Sequence, residues 1–187
     1  FANKYHVPVR VLSSFNDGSG TLISLKDESM ENALVSGIAS QKDQVKFTLH
    51  SVGDIPGTAF KILGPISEAE VEVDVIVQNV SIDGKTDFTF TVSNEDQETV
   101  KKILSDIKDE INYKELIINP DIAKVSLVGA GMRSQSGVAS KAFKALSEND
   151  VNIQIICTSE IKITMVIDEI LVDKAVNVLH KEFELEK

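Results

Sequence analysis

Hydrophobic and polar residues are arranged along the chain in a pattern that predicts short strands and amphipathic helices. In residues 45–52 the apolar side chains occupy every second position, which is typical of a strand with one buried face. In residues 58–70 they recur at helical spacing instead, which indicates a helix with one apolar stripe. Residues 73–80 and 88–92 then predict two strands joined by a hairpin turn.

A second helix and a last strand complete this unit. Residues 94–111 have an apolar stripe at helical spacing, and residues 116–118 form a short apolar run. The resulting order, β-α-β-β-α-β, is the ferredoxin-like arrangement, in which an antiparallel sheet carries two helices on one face. The other face of the sheet and its edge strands are then available for packing against another copy.

The same order of elements returns further along the chain. Val45 corresponds to Val125 and Gly57 to Gly137, so the offset is 80 residues (125 − 45). The second copy is predicted to contain strands and helices at residues 125–128, 138–148, 153–157, 161–167 and 172–183. Because a repeat of this length indicates two copies of one small domain, the predicted fold class is α+β with two ferredoxin-like domains.

The second copy lacks a fourth strand after its last helix. An unpaired sheet edge beside its first strand is unfavourable, whereas residues 7–14 form an apolar segment with no partner in the first copy. We therefore expect residues 7–14 to complete the second sheet, with another short strand at 20–25 beside them. The first domain, residues 36–120, would then be inserted within the second, residues 5–35 plus 121–187.

The composition narrows the possible functions. The net charge of −10 and the lack of a basic stripe argue against nucleic acid as a partner. Apolar residues make up 42% of the chain, enough for real cores, and no apolar run reaches the roughly 18 residues of a membrane-spanning helix. Cys157 is the only cysteine, so an internal disulfide is excluded and a reducing, cytoplasmic location is expected. The start at Phe1 rather than Met is expected of a fragment or a processed piece.

The turn between the first strand and the first helix of each copy is the candidate site. These turns are residues 54–58 and 133–138, and the N-terminus of a helix prefers a carboxylate or a phosphate. Polar residues end the neighbouring strand in both copies. The arrangement suits a zwitterionic ligand. Backbone amides would bind its carboxylate, and Asp54 or Glu160 would bind its ammonium group. Ordinary turns with capping residues have the same composition, so both interpretations stay open.

The remaining reactive side chains give no catalytic or metal site. His6, His50 and His180 are far apart in sequence and lack the spacing of metal ligands. Cys157 lies on a strand that is predicted to be buried, and no motif places a base beside it, so packing is its expected role. We predict no catalytic residue, no metal ligand and no cofactor for this chain.

Three motifs then point to a family: VQNVS, SLVGAGM and TSEIKI. With the stretches VLSSFNDGSGTLI and DIPGTAFKILGPISEAEVEVDVIVQNV, they closely resemble the C-terminal regulatory region of aspartate kinase over essentially the whole chain. The resemblance implies a pair of ACT domains, the first inserted in the second. Nothing in the chain resembles the catalytic amino-kinase domain, so the chain alone is expected not to be an enzyme. ATP and Mg²⁺ would belong to the absent kinase domain.

The family implies allosteric feedback regulation. Its kinase phosphorylates the side-chain carboxylate of aspartate, the first step toward lysine, threonine and methionine, and its ACT domains bind lysine or threonine and inhibit it. The implied partners are a second copy of the chain and the catalytic domain or α subunit, with no nucleic acid and no membrane. The sequence leaves open which amino acid binds, how many sites a dimer fills, and whether the chain is a separate β subunit or the tail of a longer chain. The competing interpretation is a dimerisation scaffold that has lost effector binding.

The resemblance also implies an effector site between copy one of one chain and copy two of its partner. In copy one, Asp54 would take the ammonium group, while side chains of Gln78 and Ser81 would bond the ligand. Backbone groups would hold the carboxylate at Gly57, Thr58 and Ala59. From the facing copy, the pocket would be closed by Asn152, Ile153, Ser159 and Glu160.

Overall fold

The computed structural model describes residues 5, 7–23, 35–79, 83–129 and 137–185. These residues form eight strands and five α-helices within the described ranges. The strands are β1 (Val9–Val11), β2 (Thr21–Ile23), β3 (Gly37–Gly53), β4 (Asp74–Gln78), β5 (Lys85–Ser93), β6 (Glu115–Val128), β7 (Ile155–Thr158) and β8 (Lys162–Asp168). The helices are α1 (Thr58–Glu68), α2 (Gln97–Asp106), α3 (Lys108–Ile111), α4 (Val138–Ser147) and α5 (Val172–Glu182). Within the described ranges, no helix is both long and apolar enough to span a membrane.

Six of these strands form one antiparallel sheet in the order β4-β5-β3-β6-β8-β7. β3 and β6 lie in the middle and are 17 and 14 residues long. Their pairing shifts register between Gln41 and Lys46, so each long strand is divided into two halves. One half of each strand belongs to the first unit and the other half to the second.

The first unit comprises the second half of β3, then α1, β4, β5, α2, α3 and the first half of β6. Val45, Phe47 and Leu49 alternate along β3 and are fully buried against the helices. The rings of Phe47 and Phe90 stack across the sheet with their centroids 5.5 Å apart. Burying each such side chain contributes about 1.5–3 kcal/mol, so this face is the core of the unit.

The second unit repeats this plan with the second half of β6, then α4, β7, β8 and α5. Val125 and Leu127 of β6 are fully buried beneath both helices, together with Leu146 of α4 and Leu179 of α5. Both units therefore have their helices on one face of an antiparallel sheet. This confirms the predicted α+β class with two ferredoxin-like domains.

The strand that completes the second sheet is not the predicted one. The first residues of β3 pair with β6, so that Gly37 lies opposite Val128. Residues 7–14 contain β1, which pairs instead with β2 in a separate two-stranded sheet. The prediction was wrong because residues 7–14 show apolar alternation, whereas the first part of β3 is mostly polar and exposed and gives no such signal. Consequently the predicted domain start at residue 36 assigns this strand to the wrong unit.

Three other elements differ from the sequence patterns. The predicted strands 116–118 and 125–128 are the two ends of a single strand, β6. Helix α1 continues through Pro65, although a proline inside a helix usually kinks or interrupts it. The predicted helix 94–111 is divided into a 3-10 turn, α2 and α3, with Ile107 between the two α-helices.

Candidate functional site

The turn between β3 and α1 is shaped by a glycine and a threonine. Gly57 precedes α1 with φ +95°, a left-handed conformation that strains any other residue. Among the described residues, no atom lies within 4 Å of the position that a Cβ on Gly57 would occupy. The buried hydroxyl of Thr58 donates to the Gly53 carbonyl at 2.9 Å, which ties the start of α1 to the end of β3. The helix therefore begins at a fixed turn that opens outward.

Only some of the backbone N–H groups at this turn already have a hydrogen-bond acceptor within the chain. The Thr58 N–H donates to the Ile55 carbonyl at 3.2 Å, so it already has an acceptor. The N–H of Ala59 lies in the first turn of α1, where a helix offers no acceptor of its own. Because the N-terminus of a helix also carries partial positive charge, this turn favours a carboxylate, with Ala59 as the better donor of the two.

Asp54 and Gln78 meet beside this turn. The Gln78 side-chain amide donates to Asp54 Oδ1 over 3.3 Å. The Asp54 N–H donates to the Gly84 carbonyl at 2.9 Å, which fixes the backbone at the end of β3. Asp54 is half-buried and Gln78 is exposed, so both polar groups remain accessible from outside. The structure thus places a carboxylate, an amide and the start of a helix together at the turn of copy one.

The predicted residues of copy two do not form one cluster within the chain. Asn152 and Ile153 precede β7, whereas Ser159 and Glu160 follow it. The four residues of β7 separate them by roughly 13 Å at 3.3 Å per residue. In addition, β7 and β4 are opposite edges of the sheet. Ser81 and the predicted turn residues 133–136 lie outside the described residues.

Ser159 has a local role that sequence reasoning missed. Its hydroxyl accepts from the Lys162 N–H at 3.1 Å, and its own N–H donates to the Lys162 carbonyl at 2.8 Å. These two bonds close the hairpin between β7 and β8. Serine side chains commonly bond nearby backbone groups in turns, and the Ser159-Glu160 pair before β8 was the available signal.

An open groove lies beside Asn152 and Ile153. It has a volume of about 590 Å³ and is lined by Phe143, Ser147, Asp150, Val151, Asn152, Ile153 and Ile156. Its apolar lining residues come from α4, from the edge strand β7 and from the segment between them. The sequence indicated Asn152 and Ile153 only through the family resemblance, and Phe143 and Ile156 were not singled out.

Cys157 is exposed, contrary to the prediction that it is buried. It lies on β7, where the side chains of residues 156–158 are exposed. The prediction was wrong because an apolar run suggested an internal strand, whereas β7 is an edge strand. In the described part of the chain, no group of three His, Cys, Asp or Glu side chains is placed to hold a metal ion.

Comparison with known proteins identifies both units. Residues 49–112 and residues 125–183 each match the ACT domain family. Aspartate kinase of Pseudomonas fluorescens is 54% identical over 187 residues, which is all of this chain and 45% of that protein. The solved structure of aspartokinase α and β subunits contains a chain that is 45% identical, with a TM-score of 0.75, and the match covers 80% of this chain and 99% of that one. The regulatory subunit of aspartate kinase from Thermus thermophilus is 33% identical, with a TM-score of 0.76 and the same coverage.

The chain is therefore a tandem ACT-domain module whose two units share β3 and β6. The chain belongs to the aspartate kinase family, of which it is the regulatory ACT region. It spans about 45% of the length of the curated relatives that it matches.

Proposed function

We propose that this chain is an amino-acid sensor that binds lysine or threonine and thereby inhibits an aspartate kinase. The observation that carries the proposal is the cluster of Asp54, Gln78 and the open start of α1 in a member of this family. A free amino acid has one carboxylate and one ammonium group close together. The cluster offers one complementary group for each of them.

The chemistry of binding follows from the charges at the turn. The carboxylate of the ligand would accept from the Ala59 N–H at the positive end of α1. Its ammonium group would donate to Asp54, and the Gln78 amide would bond the ligand after exchanging its contact with Asp54. A charge-assisted hydrogen bond contributes about 1.5–3 kcal/mol, so two or three such contacts give affinity without a deep cavity.

The second wall of the pocket would come from another copy of the chain. Within one chain, the side chains of Val77 on β4 and Ile155 on β7 pack against one apolar cluster. Gln78 instead contacts Asp54 beside α1, whereas Asn152 and Ile153 line the groove together with Phe143 of α4. Exposed apolar side chains support pairing of copies. They lie on the site turn, on the first turn of α1, on β4 and on β7, and they are Ile55, Phe60, Ile76 and Ile156. A ligand that bridges two copies favours the paired state, and it shifts the kinase only by its differential affinity for that state.

The catalytic part of the whole protein is the other partner that we propose. The hairpin of β1 and β2 displays apolar side chains on both strands and its connection, and Phe15 is 94% exposed. A two-stranded hairpin is marginally stable by itself. Because the chain spans about 45% of its relatives, we propose that the kinase portion covers this hairpin. ATP, Mg²⁺ and the phosphorylation of aspartate would belong to that portion, and a cytoplasmic location remains a prediction.

Thermal unfolding in the presence of amino acids tests the proposal. Ligand at 100 times its Kd stabilises the folded state by about 2.7 kcal/mol, which for a chain of this size raises Tm by roughly 5–10 °C. We expect this rise with L-lysine or L-threonine and none with the D-enantiomers, which have the same charges in the wrong geometry. No rise with either L-amino acid would contradict the sensor and favour the scaffold.

A further inference from the structure

Strand β4 contains one residue more than the stretch of β5 that it pairs with. Asp74 lies opposite Thr91, whereas Val77 lies opposite Thr89. Three positions along β4 therefore match two along β5, which is the definition of a β-bulge. Val75, within this bulge, has φ +48°, a left-handed conformation that a β-branched residue rarely adopts. The strain requires that surrounding contacts hold the bulge in place.

The bulge decides which way Gln78 points. Gln78 lies opposite Phe88, and residues directly opposite each other in an antiparallel pair share a face. Phe88 is buried in the helix-side core, so Gln78 is on the side of α1 and Asp54. If the register of Asp74 and Thr91 continued without the bulge, Gln78 would lie opposite Asp87. A slip of one residue turns a side chain to the other face, away from Asp54.

The bulge is held by a lysine from the second unit. Asp74 Oδ1 accepts from the Val75 N–H at 2.8 Å, and its Oδ2 accepts from Lys124 Nζ at 3.0 Å. The Thr91 hydroxyl donates to the Asp74 carbonyl at 2.9 Å. Lys124 projects from the second half of β6, and its side chain is only 6% exposed, against 51% for Asp74. One carboxylate therefore connects the strained backbone of β4 to a buried cation of the other unit.

Apolar packing reinforces the same contact. The Val75 side chain is buried in a cluster with Ile122 and Val166, which lie on strands of the second unit. Burial opposes ionisation of Asp74, but the hydrogen bonds from Lys124 and Val75 and the charge of Lys162 outweigh it and lower its pKa. Asp74 is thus a carboxylate near neutral pH, as the contact with Lys124 requires.

We propose that Lys124 and Asp74 are positioning residues for the effector site, because they hold the bulge that turns Gln78 toward Asp54. The inference rests on the proposed effector site and extends it. The second ACT unit then acts on the site of the first within the same chain. By linkage, ligand bound at Gln78 stabilises the contact between the units to the same extent that the contact stabilises binding.

Calorimetric titration of the chain with L-lysine and L-threonine tests the inference, using Lys124→Met and the matched control Lys42→Met. Lys42 lies where β3 passes from one unit to the other and pairs with Asp173 of α5 at 3.2 Å, but this pair is exposed and neither residue lies on β4. We expect Lys124→Met to weaken binding about tenfold, as for loss of one hydrogen bond to a charged ligand. Lys42→Met should leave the affinity within twofold. Equal affinities of the two variants would overturn the inference.

A double-mutant cycle separates positioning from general destabilisation. In a Gln78→Ala background, Lys124→Met should weaken binding no further, because it acts through Gln78. A further tenfold loss in that background would show another route and overturn the proposal. Asp74→Asn, which keeps an acceptor for the Val75 N–H, repeats the test if the lysine variant fails to fold.

A measurement without ligand keeps this inference distinct from the sensor itself. The side-chain amide resonance of Gln78 in NMR spectra should shift in Lys124→Met and stay unchanged in Lys42→Met. If the resonance shifts as expected and neither amino acid binds the wild-type chain, the sensor proposal fails while the positioning effect stands. If the Gln78 amide resonance of Lys124→Met is the same as in the wild type, the positioning effect is refuted, whether or not an amino acid binds.

Discussion

Replacement of Gly57 by alanine separates the stability of the site turn from its function. Gly57 has φ +95°, and a Cβ added there meets no described atom within 4 Å. The cost of the substitution is therefore backbone strain without a steric clash. Its counterpart at an offset of 80 residues, Gly137, has φ +104° and the same open surroundings. The two positions form a matched pair, one in each unit.

The magnitude follows from the left-handed conformation. An alanine in this region costs about 1–2 kcal/mol relative to its preferred conformations. At roughly 2–4 °C per kcal/mol for a chain of this size, Tm should fall by about 2–8 °C. The fall should be the same for Gly57→Ala and Gly137→Ala, since both positions have similar φ and an added Cβ meets no described side chain at either.

Effector binding should distinguish the two variants. Relaxation of the strained turn at Gly57 moves the Ala59 N–H at the start of α1, and loss of one hydrogen bond to a charged group lowers affinity about tenfold or more. Gly137→Ala leaves this turn intact. Calorimetry with the amino acid that binds the wild-type chain, together with thermal melting, gives both quantities. Equal weakening by both variants, or by neither, would refute the role of the Gly57 turn.

Four further substitutions test other parts of the structure. Asp54→Ala and Gln78→Ala should each weaken effector binding about tenfold, with Tm nearly unchanged because their mutual contact is partly exposed; unchanged affinity in both would remove these residues from the site. The pKa of Asp87 is lowered, foremost by a backbone N–H that donates to it and also by His50. Asp87 therefore stabilises the fold above about pH 4, and this contribution is lost as the pH falls below 3.8, the pKa of the group in the unfolded chain. Asp87→Asn should weaken the dependence of the free energy of unfolding on pH in this range, measured by urea titrations at several pH values. Ile62→Ala should lower the free energy of unfolding by about 2–5 kcal/mol, since Ile62 is fully buried; a loss below 1 kcal/mol would contradict its place in the core.

The repeat and the apolar alternation were sufficient to predict the two units and much of their cores. Val45, Phe47 and Leu49 were predicted from their spacing and are fully buried. The first half of β3 was missed because its side chains are mostly exposed and it needs no apolar face. Its pairing with β6 is held by backbone hydrogen bonds, which do not require any particular pattern of side chains.

The site was predicted in part for similar reasons. The glycine and the acidic residue of the Gly57 turn are visible in the sequence, because a left-handed helix start demands glycine. The bulge at Val75 was not visible, since valine is a poor residue for its conformation and the bulge depends on Lys124, 50 residues away. Contacts between strands that are far apart in the sequence can be identified only from the tertiary structure.

Isothermal titration calorimetry measures whether a free amino acid binds at the Gly57 turn. Wild-type chain and Asp54→Ala would each be titrated with L-lysine and with L-threonine under the same conditions. We expect saturable binding of at least one amino acid to the wild type, and about tenfold weaker binding to Asp54→Ala. No heat of binding with either amino acid, or equal affinity for both proteins, would contradict it.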